Sequence, residues 1–193
     1  QQTLLGYQVF RHTLGTAQAT DEMVYEESNK VYFTSLSKSK DGTSVFILHS
    51  SHEASGVSVI DANNAKSLPI KFIEREDDHE YSISKAKDWY YIKTNWLAVN
   101  FRLMKVHKKH FGDKTQWQNV ISANDAVKLE NYELFTNYLV YQQRENGVSR
   151  VTIEQLSTGK KKQLIFNDSV YSLSLYGNNE LDAQSLRLYY DSF

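Results

Sequence analysis

Four dense apolar runs recur along this chain at a nearly constant spacing, and that period limits the fold more than any other feature. The runs are VFIL from Val45, WYYI from Trp89, YLVY from Tyr138 and LRLYY from Leu186, with start-to-start separations of 44, 49 and 48 residues. A repeat of about 40 to 50 residues marks a propeller or a solenoid. Within each period the same order returns: a strand, a short turn, the dense run, a second turn, another strand, and a fourth that alternates more.

Three complete units are expected. The first is KVYFTSL, SVFILHS, GVSVIDA and LPIKFIE; the second is EYSI, WYYIKT, FRLMKV and WQNVI; the third is YELFT, YLVYQQ, SRVTIEQL and KQLIF. The fold class is therefore all-β, a β-propeller fragment with complete blades over about 31–73, 79–121 and 129–166. Partial blades occupy about 1–26 and 170–193. A β-sandwich with coincidental spacing is the competing architecture.

The dense runs follow from this architecture. A strand held between two neighbouring blades buries both faces, so it reads as continuous rather than alternating hydrophobicity. The stretch HEYSISKAKDWYYIKTN, residues 79 to 95, is then an inner hairpin whose turn is SKAK and whose aromatics pack against adjacent blades. With 8 Gly and 1 Pro in the chain, turns must draw on Asn, Asp, Ser and Lys, as in ESNK, KDGT, ANNAK and GNNE. The best helical stretch, SANDAVKLEN, is too short to stand alone and is expected to be a loop with at most one turn.

The 13 Tyr, 9 Phe and 3 Trp suit pleated, half-buried surfaces, and a chain of 193 residues can bury a real core. Its 22 Lys and Arg against 23 Asp and Glu give a formal charge of -1, with no net field to draw it onto nucleic acid or an anionic membrane. Neither partner is expected. A mean hydropathy of -0.55 points to a soluble chain, and the lack of cysteine is compatible with a cytoplasmic location, with the periplasm left open. QQTLLGYQVF has neither an initiator Met nor a basic n-region, and LRLYYDSF stops within a strand-like run, so a piece of a longer polypeptide is expected.

Reactive motifs are scarce. The glycines at 6, 15, 42, 56, 112, 147, 159 and 177 are too far apart for G-x-S-x-G, G-x-G-x-x-G or a P-loop. His49 with His52 and Glu53, and His107 with His110, converge on a metal only if a turn bends them together, since residues i and i+3 of a strand point to opposite faces. His79 among Asp77, Asp78 and Glu80 is a candidate acid or base, because neighbouring carboxylates would raise its pKa, although a solvated acidic loop explains it equally well. Trp89, Tyr91 and Lys93 have the look of a nucleic-acid stacking platform, yet the same spacing recurs where no Lys occurs, which favours blade packing. No cofactor and no metal are expected, and the Gly-His and Trp-Asp signatures of WD40 blades do not occur.

The segments YQVFRHTLGT (7 to 16), DEMVYEE (21 to 27), DHEYSI (78 to 83), NFRLMKV (100 to 106) and LENYELFTNYLVYQQRENGVSRV (129 to 151) resemble, in order, the propeller of the oligopeptidase B branch of the prolyl oligopeptidase family of serine peptidases. The resemblance implies the later half of a seven-bladed propeller that gates an α/β-hydrolase domain. It also implies short peptides cut after Lys or Arg as substrates of the whole enzyme. None of the family's Ser, Asp and His triad falls on a residue of this chain, so no catalytic residue is assigned and the chain alone should be inactive. Unpaired blade edges are expected to promote self-association. A freestanding peptide- or protein-binding propeller, and a metal hydrolase using His49, His52 or His79, are the alternatives.

Sorting charges by propeller topology gives a polarity that the net charge hides. Turns joining strand 4 to the next strand 1, and strand 2 to strand 3, share one face; there twelve carboxylates oppose four cations, a net of -8. The other face carries eleven lysines, Lys114 among them, against four carboxylates, a net of +7. The family resemblance implies that the acidic face looks toward the catalytic domain. Glu26, Glu27, Glu76, Asp77, Asp78 and Glu80 are its candidate residues, for steering basic peptides or for pairing with the other domain.

Overall fold

The computed structural model describes residues 5–192, which form sixteen strands and three short 3-10 turns. Three four-stranded antiparallel meanders make up most of the chain. The first contains β3 (Phe33–Lys38), β4 (Ser44–Ser50), β5 (Ser55–Asp61) and β6 (Ile70–Lys71). β7 (Tyr81–Ala86), β8 (Trp89–Thr94), β9 (Arg102–His107) and β10 (Gln118–Ile121) make the second. The third contains β11 (Val127–Leu134), β12 (Tyr138–Glu145), β13 (Val148–Gln155) and β14 (Lys161–Gln163). Before them β1 (Gln8–Arg11) pairs with β2 (Glu22–Glu26), and after them β15 (Tyr171–Leu175) pairs with β16 (Leu188–Ser192). This is a partial β-propeller, hereafter with blades A, B and C complete and a two-stranded sheet at either end.

Three apolar seams hold the blades together. Phe46, Val57, Val59, Phe72 and Ile73 of blade A and its outgoing link pack on Tyr81, Ile83, Tyr90, Ile92, Met104 and Val106 of blade B. Leu103 and Ile121 of blade B meet Leu129, Tyr132, Leu134, Leu139 and Tyr141 of blade C. Phe135, Val140 and Val151 then meet Leu173 and Leu175 of the last sheet. The second strand serves both sides of its blade: Leu139 and Tyr141 fill one seam while Val140 between them fills the next. LRLYY shows the converse. With no further blade over β16 among the described residues, Tyr189 and Tyr190 remain exposed.

Local departures from the sequence reading have simple causes. The fourth strands are short; β6 has only two residues, followed by one more ladder bond from the Phe72 amide to the Val57 carbonyl at 2.8 Å, and the side chains of Phe72 and Ile73 plug the seam. Phe72 is fully buried, with its ring centroid 5.4 Å from that of Tyr90 and 5.1 Å from that of Phe111. The SKAK turn tightens to Lys87 and Asp88, with Lys87 at φ 55°, since β7 runs on through Ala86. SANDAVKLEN forms no helical turn; from Val127 it is already β11.

Candidate functional site

The link leaving each blade and the turn between the second and third strands of the next blade meet on one face. Asn95, in the 95–101 turn of blade B, accepts from the Glu80 amide at 2.9 Å and donates to the Asp78 carbonyl at 2.9 Å. Asn100, at the other end of that turn, donates to the carbonyls of Asn124 and Asp125 at 3.3 and 2.6 Å. The 74–80 and 122–126 links are thereby fastened to either side of it.

The candidate carboxylates on this face divide into spent and free groups. Glu27 does not present its charge to the face, for it is 5% exposed and is held on every side. Arg75 donates to it through both Nη atoms, at 2.9 and 3.3 Å, Tyr25 donates its hydroxyl at 2.8 Å, and the Asn29 amide donates at 3.0 Å. Burial raises the Glu27 pKa, but these donors and the nearby guanidinium outweigh it and hold the carboxyl below its usual range. Burial, with the Glu27 carboxylate, pushes the Tyr25 phenol up to about 12. Arg75 stacks its guanidinium over the Tyr32 ring at 4.1 Å. Its aliphatic stem runs so close to Gly56 that a Cβ there would meet Arg75 Cγ and Cδ at 2.9 Å.

Glu76 is also engaged: Lys114 Nζ lies 2.5 Å from its Oε2, and that hydrogen bond depresses the carboxyl pKa. This corrects the sorting of Lys114 to the basic face. The 108–117 connection climbs along the blade, with Phe72 O close against Gly112, and delivers Lys114 to the acidic side. Glu26 is exposed and accepts only from Gln8 Nε2 at 3.1 Å. Asp77, Asp78 and Glu80 are exposed and form no ion pair among the described residues. They are unpaired charge on this stretch of the rim.

His79 is buried and its Nε2 lies 2.8 Å from Thr94 Oγ1. Its pKa is lowered, first by burial and then by the Lys114 ammonium, which corrects the expectation of an upward shift; of the nearby carboxylates only Glu76 approaches, at 3.5 Å. His49 is buried within β4, with Nε2 3.1 Å from Ser58 Oγ and Nδ1 3.4 Å from Glu27 Oε2. Burial lowers its pKa to about 4, so the ring is neutral near pH 7. The space beside Tyr25, His49, Gly56 and Arg75 is about 20 Å³, enough for one water and for no organic ligand. His52 is exposed, and His107 Nδ1 accepts from the Lys109 amide at 3.2 Å. No group of three potential ligands converges on a metal site among the described residues. Trp89 and Tyr91 are half-buried, and Tyr91 packs against the seam between blades B and C.

Given a blade repeat and a stitched acidic rim, the sequence match is decisive. Residues 1–193 match the profile of the prolyl oligopeptidase N-terminal β-propeller domain. The chain belongs to this family. Protease 2 of Moraxella lacunata is 27% identical over 186 residues, covering 96% of this chain and 26% of the relative. Dipeptidyl aminopeptidase BI of Pseudoxanthomonas mexicana is 28% identical over 192 residues, covering 99% of this chain and 26% of the relative. The chain thus spans about a quarter of the length of the curated relatives it matches. Among solved structures, oligopeptidase B from Trypanosoma brucei, in a closed form with covalently bound antipain, superposes with a TM-score of 0.88 at 23% identity over 97% of this chain and 28% of that one. Oligopeptidase B from Leishmania major gives a TM-score of 0.87 at 22% identity over 98% of this chain and 28% of that one. At such identities the structures speak for the fold, and the prolyl oligopeptidase propeller is that fold.

Sequence reasoning missed the Glu27–Arg75 hub. The available signal was their separation of 48 residues, one blade period, in equivalent links between sheets.

Proposed function

We propose that this chain is the gating propeller portion of an oligopeptidase B-like serine endopeptidase that cleaves short peptides after Lys or Arg. In this reading the hydrolase domain of the same polypeptide performs the chemistry, and the propeller restricts access and supplies an acidic rim. The observation that carries it is the full-length family match combined with a stretch of rim, residues 77–80, whose unpaired charges Asp77, Asp78 and Glu80 are carboxylates. A negative potential over a receiving cavity raises the capture rate of cationic peptides. A cytoplasmic location belongs to the same proposal, as does self-association of the chain on its own through edges that expose Phe10, Met23 and Tyr189.

The test is cleavage by the full-length polypeptide of matched fluorogenic peptides ending in Arg, Lys or Pro before the scissile bond. Preference for Arg and Lys is expected; preference for Pro, or no turnover with any of the three, would overturn the reading.

A further inference from the structure

The turn between β8 and β9 spends seven residues, Asn95 to Phe101, where two can close a hairpin. It is built as two successive tight turns, with the Ala98 amide donating to the Asn95 carbonyl at 2.9 Å and the Phe101 amide to the Ala98 carbonyl at 2.8 Å. Its side chains alternate. Ala98 is buried, Trp96 packs beside Trp117 at the seam of blades A and B, and Phe101 packs at the seam of blades B and C. Leu97 and Val99, between them, are 77% and 76% exposed.

Two properties separate this turn from an ordinary surface loop. Leu97 has φ 52° and Phe101 φ 63°, left-handed conformations in which glycine or asparagine is the usual choice. Strain of this kind persists only where the surroundings over-determine it. Here they do: the Trp96 amide donates to Thr94 Oγ1 at 3.0 Å, Asn95 and Asn100 fasten the turn to both flanking links, and the Leu129 amide donates to the Asn100 carbonyl at 2.9 Å. A rigid frame therefore holds two aliphatic side chains outward. Around them stand Asp77, Asp78, Glu80 and Asp125, none in an ion pair among the described residues, while the cations beside the turn lie over its inward-packed rings, Lys93 and Lys128 over Phe101 and Arg102 and Lys114 over Trp96. An apolar centre within a charged rim is the anatomy of a protein interface.

We infer that residues 95–101 are a preformed docking knob, Leu97 and Val99 at its tip, that seats in an apolar hollow ringed by Lys and Arg on the catalytic portion of the parent polypeptide. The identity of the occupant rests on the peptidase reading. Relatives of this chain are about four times its length, so most of such a polypeptide lies outside the propeller segment described. A second copy of this chain is a poor occupant, because its own acidic rim would face this one across an isologous contact. A flexible peptide is poorer, since a convex aliphatic tip is covered only by a concave, folded surface.

Hydrogen exchange of the full-length polypeptide tests the inference. Among the described residues the amides of Leu97 and Val99 donate no hydrogen bond, so an uncovered knob exchanges there at nearly the unprotected rate. Coverage is expected to slow both amides about tenfold or more, and the double variant Leu97→Asn, Val99→Ser to restore fast exchange. Asparagine tolerates the left-handed backbone, so the turn keeps its shape. Unprotected exchange in the intact protein overturns the inference. So does protection that grows with protein concentration, which would mean a second copy, or protection seen only with a basic peptide bound. Peptide cleavage by the same sample reports separately on the peptidase reading: a sample that cleaves yet exchanges fast removes the knob alone, whereas a protected sample without turnover keeps the contact and removes the peptidase.

Discussion

Arg75 Nη1 lies 2.9 Å from Glu27 Oε2, joining two residues one blade period apart that leave successive sheets by equivalent links. The carboxylate is all but sealed from solvent, while the guanidinium side chain is 30% exposed and stacked on Tyr32. Removing the cation strands a buried charge, the costly way to break such a pair. Arg75→Met is expected to destabilise the protein by about 3 kcal/mol, the low end of the buried-pair range because Arg75 is partly solvated. Adding Glu27→Gln should recover part of the loss. Denaturant unfolding of the two variants checks this, and a single-variant loss below about 1 kcal/mol would show the pair to be weak.

The same hub makes stability depend on pH. His49 faces Tyr25, Glu27 and Arg75, and its folded pKa of about 4 lies below the ordinary 6.5. A depressed histidine is stabilising in its neutral form, so the contribution is complete above about pH 6.5 and disappears as pH falls toward 4. The linkage amounts to about 3 kcal/mol at most. Glu27, with its lowered pKa, adds a loss of the same sign below its ordinary 4.5. Unfolding midpoints at pH 7 and pH 4.5 should fall more steeply for the native chain than for His49→Gln. Parallel slopes would remove His49 from the account.

Phe72 belongs to blade A in sequence and to the core of blade B in space. It is fully buried among Tyr81, Tyr90, Phe111 and Trp117. Phe72→Ala is expected to cost about 3–5 kcal/mol through lost burial and the cavity left behind. Phe72→Leu should cost far less. Thermal unfolding distinguishes them, and equal effects would mean that shape at this seam is unimportant.

Charge reversal at Asp77, Asp78 and Glu80 in the proposed full-length peptidase leaves Glu76 and its lysine intact, and its salt dependence separates steering from contact between domains. A fall of about tenfold in kcat/KM for Lys or Arg peptides at low salt is expected, shrinking as the ionic strength rises. A fall independent of salt points to pairing between domains instead. No fall at all ends the steering idea.

The blade period and the position of each second strand were legible in the chain itself. A strand such as Tyr138 to Tyr141, apolar on both faces, fits only between two layers, and 48 residues is one meander with its turns. The rim was legible as composition: Asp77, Asp78 and Glu80 follow a fourth strand, and the alternation of turns sends them to one face. Which carboxylates remain free was decided by tertiary structure alone. Glu27 and Asp77 look alike in sequence, but one is swallowed by an arginine from the next link and the other meets solvent. Lys114 crossed to the acidic side because a ten-residue connection can climb a blade edge that a two-residue turn cannot. Leu97 and Val99 likewise read as ordinary apolar residues until the frame around Asn95 and Asn100 turned them outward. Periodicity is written locally, residue by residue, whereas the fate of a charge or an exposed leucine depends on which atoms the neighbouring blade brings within a few ångströms.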